Sequence, residues 1–267
     1  MSGGAVPASV PALVTGASSG IGAEFARRFA ERGHDLTIVA RRVDRLEQLA
    51  EELRAEHNVQ VAVIGVDLKT ARGRTTVSRV LKSQAPWIVV NNAGFGSRGR
   101  VRDLDAGRER GEVQVNVVAT HELTLAALPG LIQSKAGGVI NVASTAGLQP
   151  LPYMATYAGT KAFILSFTEA LAEELRGSGA RAMALCPGPV WTEFSHVAGT
   201  QEYMRLARPM SMSAERCTRL ALKDFDRERA VSIPGALNVA VAVGPRLAPR
   251  LVVRKVAGQI FRPRGSA

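Results

Sequence analysis

From Ala12 onward the sequence alternates short β-branched apolar runs with longer stretches of helical periodicity, and this alternation limits the fold more than any other feature of the chain. Neighbouring parallel strands need a crossover, usually a helix, so the pattern reads as successive βαβ units feeding one parallel sheet. Strands are expected at 12–15, 35–40, 61–66, 88–90, 139–143 and 181–185. Helices are expected from the glycine-rich turn after the first strand to Arg32, then over 43–56, 70–82, 112–128 and 153–176. The expected fold class is α/β: a doubly wound parallel sheet of about seven strands with helices on both faces, in a single domain. At 267 residues and 46% hydrophobic content, the chain can bury such a core.

The first strand leads into Gly16-Ala17-Ser18-Ser19-Gly20-Ile21-Gly22. Glycines spaced this way between a strand and a helix permit a turn off the strand, a close backbone approach and tight packing of helix on strand. The free N–H groups and dipole of the following helix then face any anion in the loop. This predicts a Rossmann-type dinucleotide site built from Gly16, Ser18, Ser19, Gly20, Ile21 and Gly22, although a tight turn alone would use the same glycines. The second strand ends at Arg41-Arg42, where dinucleotide folds place an acid for a ribose 2′-hydroxyl or an arginine for a 2′-phosphate. The next acid, Asp44, falls in the first turn of a helix, so NADP(H) is expected over NAD(H). Asp67, past the third strand, either meets an adenine edge or caps the next helix. After the fourth strand, Asn92, Ala93 and Gly94 offer an amide to brace the strands and open space beside a ribose.

The chemistry-bearing pair is Tyr157 and Lys161, four residues apart and therefore on one helical face. A phenol titrates near pH ~10, and a fixed cation beside it lowers that value, giving a proton donor and acceptor usable near neutrality. Ser144 sits just past the fifth strand, where open α/β sheets place ligands, and Asn116 is a lone amide among Val113, Val115, Val117 and Val118. In order and spacing these segments resemble the short-chain dehydrogenase/reductase family over about residues 10–235: Thr15–Gly22 its cofactor loop, Asn91–Gly94 its strand-four motif, Asn116, Ser144, Tyr157 and Lys161 its catalytic tetrad, and Pro187, Gly188 and Thr192 its nicotinamide-side segment. The resemblance implies an oxidoreductase moving a hydride between NADP(H) and a carbonyl/hydroxyl pair. Tyr157 would be general acid in reduction and general base in oxidation, and Lys161 would lower its pKa and bind the nicotinamide ribose. Ser144 would hold the carbonyl oxygen, and Asn116 a water on the proton path. Homodimers or homotetramers through the helices bearing Asn116 and Tyr157 are also implied. A non-catalytic NADP(H)-binding sensor or interaction module is the alternative.

The net charge of +11 calls for an acidic partner, which can be a phosphorylated cofactor, an anionic membrane or nucleic acid. No reading motif or interleaved aromatics favour nucleic acid. Cys186 and Cys217 fit neither a disulfide framework nor a metal site, so a cytoplasmic setting without metal is expected. Residues 1–10 read as a flexible start without a signal-peptide pattern, and no apolar run reaches bilayer-spanning length. Residues 190–213 carry Trp191, Phe194, His196, Tyr203, Met204, Leu206, Met210 and Met212. By the same resemblance they form a substrate lid for a bulky or lipidic carbonyl compound; the other reading is a helix pair on the domain's own core. Over 236–267 no acid remains, whereas Arg246, Arg250, Arg254, Lys255, Arg262 and Arg264 interleave with valines and leucines. Pro245 and Pro249 limit this basic amphipathic extension to two short helices, packed on the domain or a neighbouring subunit, capping the substrate cleft, or lying peripherally on the inner membrane surface. The extension and Glu169–Gly179 are similar to actinobacterial mycolate-reductase-like members, which act on long-chain 3-oxo lipids.

Overall fold

The computed structural model describes residues 4–83 and 87–262; Arg264 and the first three residues of the expected flexible start lie outside the described residues, as do the side chains of Leu206, Arg246 and Leu247. The strands are β1 (Ala12–Thr15), β2 (Leu36–Ala40), β3 (Val61–Gly65), β4 (Ile88–Asn91), β5 (Gly138–Val142), β6 (Arg181–Leu185), β7 (Val190–Trp191), β8 (Met212–Ser213) and β9 (Val231–Ser232). Seven form one sheet in the order β3-β2-β1-β4-β5-β6-β9, every pair parallel, while β7 and β8 pair separately. The order reverses between β1 and β4, and the crevice outside the strand ends at that reversal is where such sheets bind ligands.

The helices are α1 (Gly20–Glu31), α2 (Val43–His57), α3 (Ala71–Ser83), α4 (Ala106–Val113), α5 (Thr120–Ser134), α6 (Ala155–Glu174), α7 (Phe194–Val197), α8 (Gln201–Leu206), α9 (Ala214–Asp226), α10 (Ala236–Val243) and α11 (Arg250–Phe261). Strands β1, β4 and β5 are buried at every position, as expected of parallel strands covered on both faces. Period-two alternation divides β1 between two cores. Ala12 and Val14 join Phe25 and Phe29 of α1, Leu46 and Leu53 of α2, and Phe225 of α9. Leu13 joins Val77 and Leu81 of α3, Leu123 and Leu131 of α5, and Leu171 of α6.

Three expectations need correction. Of the start expected to be flexible, Val6 and Val10 are buried in the first core, and the Val10 carbonyl lies 2.8 Å from the His34 ring. The helix expected at 112–128 belongs to a longer run, Ala106–Ser134, whose middle, Gln114–Ala119, widens into a π-helix. That run is long and apolar enough, by length and composition, to cross a bilayer, contrary to the sequence expectation. Half of its apolar window is buried inside the protein, as in a core helix. Finally, 190–213 is neither a pure lid nor a plain helix pair: β7 and β8 anchor it, and Val190 and Met212 are buried with Cys217 of α9.

Candidate active site

The reversal between β1 and β4 opens into a cleft of about 440 Å³. Of the expected cofactor and catalytic residues, Gly16, Ser18, Ser19, Gly20, Ile21, Arg41, Arg42, Asp67, Asn92, Ala93, Gly94, Ser144, Tyr157, Lys161, Pro187, Gly188 and Thr192 line it. Gly22 and Asn116 stand behind the wall.

At the loop, Gly16 turns off β1 with φ +68°, and a β-carbon there would come 2.7 Å from Asn92 Nδ2. Asn92 needs that space because its Nδ2 donates to the carbonyls of Thr15 and Gly16 at 2.9 and 3.3 Å. Thr15 completes the brace: its Oγ1 accepts from the N–H groups of Asn92 and Ala93, both at 3.0 Å. Glycine and asparagine at these positions thus lock β1 to β4 beneath the N-terminus of α1.

Arg42 reaches back over this loop and donates to Ser18 Oγ (3.0 Å) and Ser19 Oγ (2.9 Å). It also pairs with Glu193 at 2.8 Å, and Arg45 meets the other oxygen of that carboxylate at 2.6 Å. Hydrogen bonds from Arg45 and Arg42 hold Glu193 down at about 2. Arg41 lines the same rim and is exposed. Asp67 is not a helix cap. Its Oδ1 accepts from the Lys69 N–H at 2.9 Å, while Thr70 caps α3 by accepting from the Gly73 N–H at 3.0 Å.

At the other end of the cleft, α6 brings Tyr157 and Lys161 to its buried face, 8% and 5% exposed. Lys161 Nζ donates to the Val142 carbonyl at 2.6 Å and lies 5.7 Å from the Tyr157 ring centroid. Burial pushes Tyr157 up to about 12, although a hydrogen bond with Ser144 opposes the shift, and burial pushes Lys161 down to about 8. The two groups share the volume foreseen, but burial shifts the phenol upward where the sequence reading expected the ammonium to shift it downward. Ser144 also accepts from the Ala146 N–H at 3.1 Å, so it caps a turn while facing Tyr157.

Asn116 is fully engaged. Its Oδ1 accepts from the Phe95 N–H (3.1 Å), and its Nδ2 donates to the Phe95 carbonyl (2.9 Å) and Thr160 Oγ1 (3.0 Å). A β-carbon on Gly94 would stand 2.9 Å from Asn116 Oδ1 and 3.5 Å from Lys161 Nζ, so only glycine leaves the space between them open.

Four neighbours complete the site, of which sequence reasoning missed Glu112, Asn238 and Glu193 and placed Phe194 only in the lid. Glu112, one turn before Asn116, is fully buried, and neither carboxyl oxygen has a hydrogen-bond partner among the described residues. Burial and the neighbouring Glu109 raise it to about 7; the Ser97 hydroxyl, close to the carboxyl but outside hydrogen-bond geometry, opposes the shift most, ahead of Arg108 and Lys161. Phe194 sets its ring 5.3 Å from that of Tyr157. Asn238 of α10 packs on Gly188, where a β-carbon would come 2.3 Å from its Oδ1. Glu193 is the fourth. A glutamate in a valine-rich helix was the one readable signal, at Glu112. Of the expected lid residues, Phe194, Tyr203 and Met204 line the cleft, together with Leu151, Met154, Val241 and Phe261; His196, Met210 and Met212 do not.

The residues present fit a phosphorylated dinucleotide: hydroxyls, a guanidinium and helix N–H groups at one end, a glycine-walled gap beside Lys161 in the middle, and a buried phenol at the other. Comparison with known proteins agrees with this geometry. The sequence profile of the short chain dehydrogenase family matches residues 11–202. A very-long-chain 3-oxoacyl-CoA reductase from Coprinopsis cinerea is 37% identical over 172 residues, which cover 63% of this chain and 51% of that reductase, so the match spans about half of the relative's length. A short-chain dehydrogenase from Sphingobium yanoikuyae, solved in complex with NADPH, is 33% identical with a TM-score of 0.81, covering 97% of this chain and 98% of that one. A bulky-bulky ketone specific alcohol dehydrogenase from Comamonas testosteroni is 32% identical with a TM-score of 0.78, over the same shares of both chains. With loop, sheet order and buried phenol in place and the profile matching most of its length, the chain belongs to the short chain dehydrogenase family of oxidoreductases.

Proposed function

We propose that this protein is an NADP(H)-dependent reductase of bulky, apolar ketones, running as an alcohol dehydrogenase when the alcohol is supplied. One observation carries the reading: a buried Tyr157 hydrogen-bonded with Ser144 stands in a cleft whose walls are Leu151, Met154, Phe194, Tyr203, Met204 and Phe261. Apolar walls favour a large hydrocarbon substrate, and the few polar groups among them fix its oxygen. The named substrates of similar proteins, a very-long-chain 3-oxoacyl-CoA and a bulky-bulky ketone, support the same class.

Gly16, Ser18, Ser19, Gly20, Ile21 and Gly22 hold the pyrophosphate end of the cofactor, with Asp67, Asn92, Ala93 and Gly94 beside its adenosine and ribose. Pro187, Gly188 and Thr192 form the nicotinamide side. Arg42, with Arg41 beside it, holds the 2′-phosphate. Bound NADPH supplies the hydride for the carbonyl carbon. As negative charge grows on the substrate oxygen, Ser144 holds that oxygen and Tyr157 donates its proton to it. In reduction Tyr157 enters as the acid, and in oxidation its phenolate takes the proton back. Lys161 then faces the phenolate with its ammonium, and Asn116 fixes the Phe95 backbone that walls this end. The working unit is a homodimer or homotetramer in the cytoplasm, joined through the helical run Ala106–Ser134 that bears Asn116 and through α6, which leave Leu125, Ile132 and Phe163 exposed.

NADPH consumption with ketones graded in size tests the reading. Tyr157→Phe is expected to lower turnover by about 10²–10⁴-fold, the usual contribution of a positioned proton donor, with NADPH affinity retained. Wild-type turnover in that variant would remove Tyr157 from the chemistry.

A further inference from the structure

We infer that α11 is a peripheral docking element for anionic lipid bilayers, set beside the substrate cleft. The helix carries two apolar faces, and the fold uses only one. On the inner face Ala257 and Phe261 are buried, Phe261 lies 4.4 Å from the Tyr203 ring, and Arg98 donates to the carbonyls of Phe261 and Arg262, both at 3.1 Å. On the outer face Val252, Val256 and Ile260 are spaced four apart and so form one line, about half exposed, while Leu251, equally exposed, lies about 100° around the helix from Val252. Contiguous apolar surface of this kind on a folded protein marks a contact.

Charge selects the occupant. Arg250, Arg254, Lys255 and Arg262 are exposed, none forms an ion pair among the described residues, and no acid follows Glu228. A second copy in two-fold contact would set these cations against each other with no carboxylate on the segment to answer them. Nucleic acid would leave the valine line facing water. An anionic bilayer satisfies both features, taking the valine line below the headgroups with Lys255 and Arg262 at its border, while Arg250 and Arg254, on the other side of the helix, add longer-range attraction. Helix α10 borders the same region with Leu237, Val239, Val241 and Val243 exposed. Val241 and Phe261 both line the cleft, so the two helices flank its mouth.

The inference rests on this surface and not on the catalytic reading. Its test is flotation of the full chain with vesicles of phosphatidylcholine alone or mixed with phosphatidylglycerol. The wild type is expected to float with the mixed vesicles at least about tenfold better than with the neutral ones. The variant Val252→Glu/Val256→Glu/Ile260→Glu and the variant Arg250→Glu/Arg254→Glu/Lys255→Glu are both expected to lose flotation, while keeping wild-type NADPH-dependent turnover of a water-soluble ketone as evidence of folding. A wild type that stays at the bottom of the gradient, or an apolar variant that floats like the wild type, overturns the inference. So does a halving of particle mass by light scattering in the apolar variant without vesicles, which would give the face to a second copy. Lack of turnover in wild type and variants alike would count against the catalytic reading and leave the flotation result standing.

Discussion

Glu112 sits near Tyr157 and Lys161 with both carboxyl oxygens unpartnered among the described residues and its proton held up to about pH 7. The folded chain therefore binds that proton more tightly than the unfolded chain between about pH 4.5 and 7, and stability falls as pH rises through this window. At 1.36 kcal/mol per pKa unit the full cost above pH 7 is on the order of 3 kcal/mol. Glu112→Gln removes the ionisation. In urea unfolding the variant is expected to match wild type near pH 4.5 and to be the more stable protein at pH 8; a difference that does not change with pH would mean that the buried charge is relieved in some other way. The ionised Glu112 also raises Tyr157 and Lys161, so the residue couples to the site although it does not line the cleft. Tyr157, Lys161 and Ser144 were legible because spacing on a helix and position past a strand are local properties. The direction of the Tyr157 shift was not, since desolvation depends on walls such as Phe194 and Cys186 that arrive from distant segments.

Strand and helix limits agree with the sequence expectation to within a few residues, because period-two burial and glycine or proline punctuation are written locally. The departures sit where tertiary contacts decide. The π-helix at Gln114–Ala119 carries Asn116, whose amide is pinned to the Phe95 backbone and Thr160, partners 21 and 44 residues away. Extra residues in a helical turn are common at functional sites because they aim one side chain. The start of α3 is a second case: the cap fell to Thr70, which freed Asp67 to face the cleft. Thr70→Ala is expected to cost about 1 kcal/mol in thermal or urea unfolding, whereas Asp67→Ala is expected to weaken NADPH binding with less effect on stability. The opposite assignment would restore Asp67 as the cap.

Across the whole molecule, one acidic side chain occupies the place where specificity for a phosphorylated cofactor is expected. Arg42 divides its donors between Ser18, Ser19 and Glu193. Losing charge-assisted hydrogen bonds costs about 1.5–3 kcal/mol, so Arg42→Ala is expected to weaken NADPH binding by roughly 10–100-fold and leave NADH nearly unchanged. Glu193→Gln frees the guanidinium and is expected to tighten NADPH alone. Equal effects on both dinucleotides, measured by fluorescence titration, would move the 2′-phosphate elsewhere. Sequence could suggest Arg42 but not its acidic partner, which lies 151 residues away. Consecutive residues in this segment touch successive stations of the cleft: Thr192 lies against Gly20, Glu193 is held by Arg42 and Arg45, and Phe194 leans on Tyr157. A chain that short cannot move at one station without moving at the next. The expected kinetic consequence is ordered binding, dinucleotide before ketone, which product inhibition checks: NADP⁺ should compete against NADPH but not against the ketone.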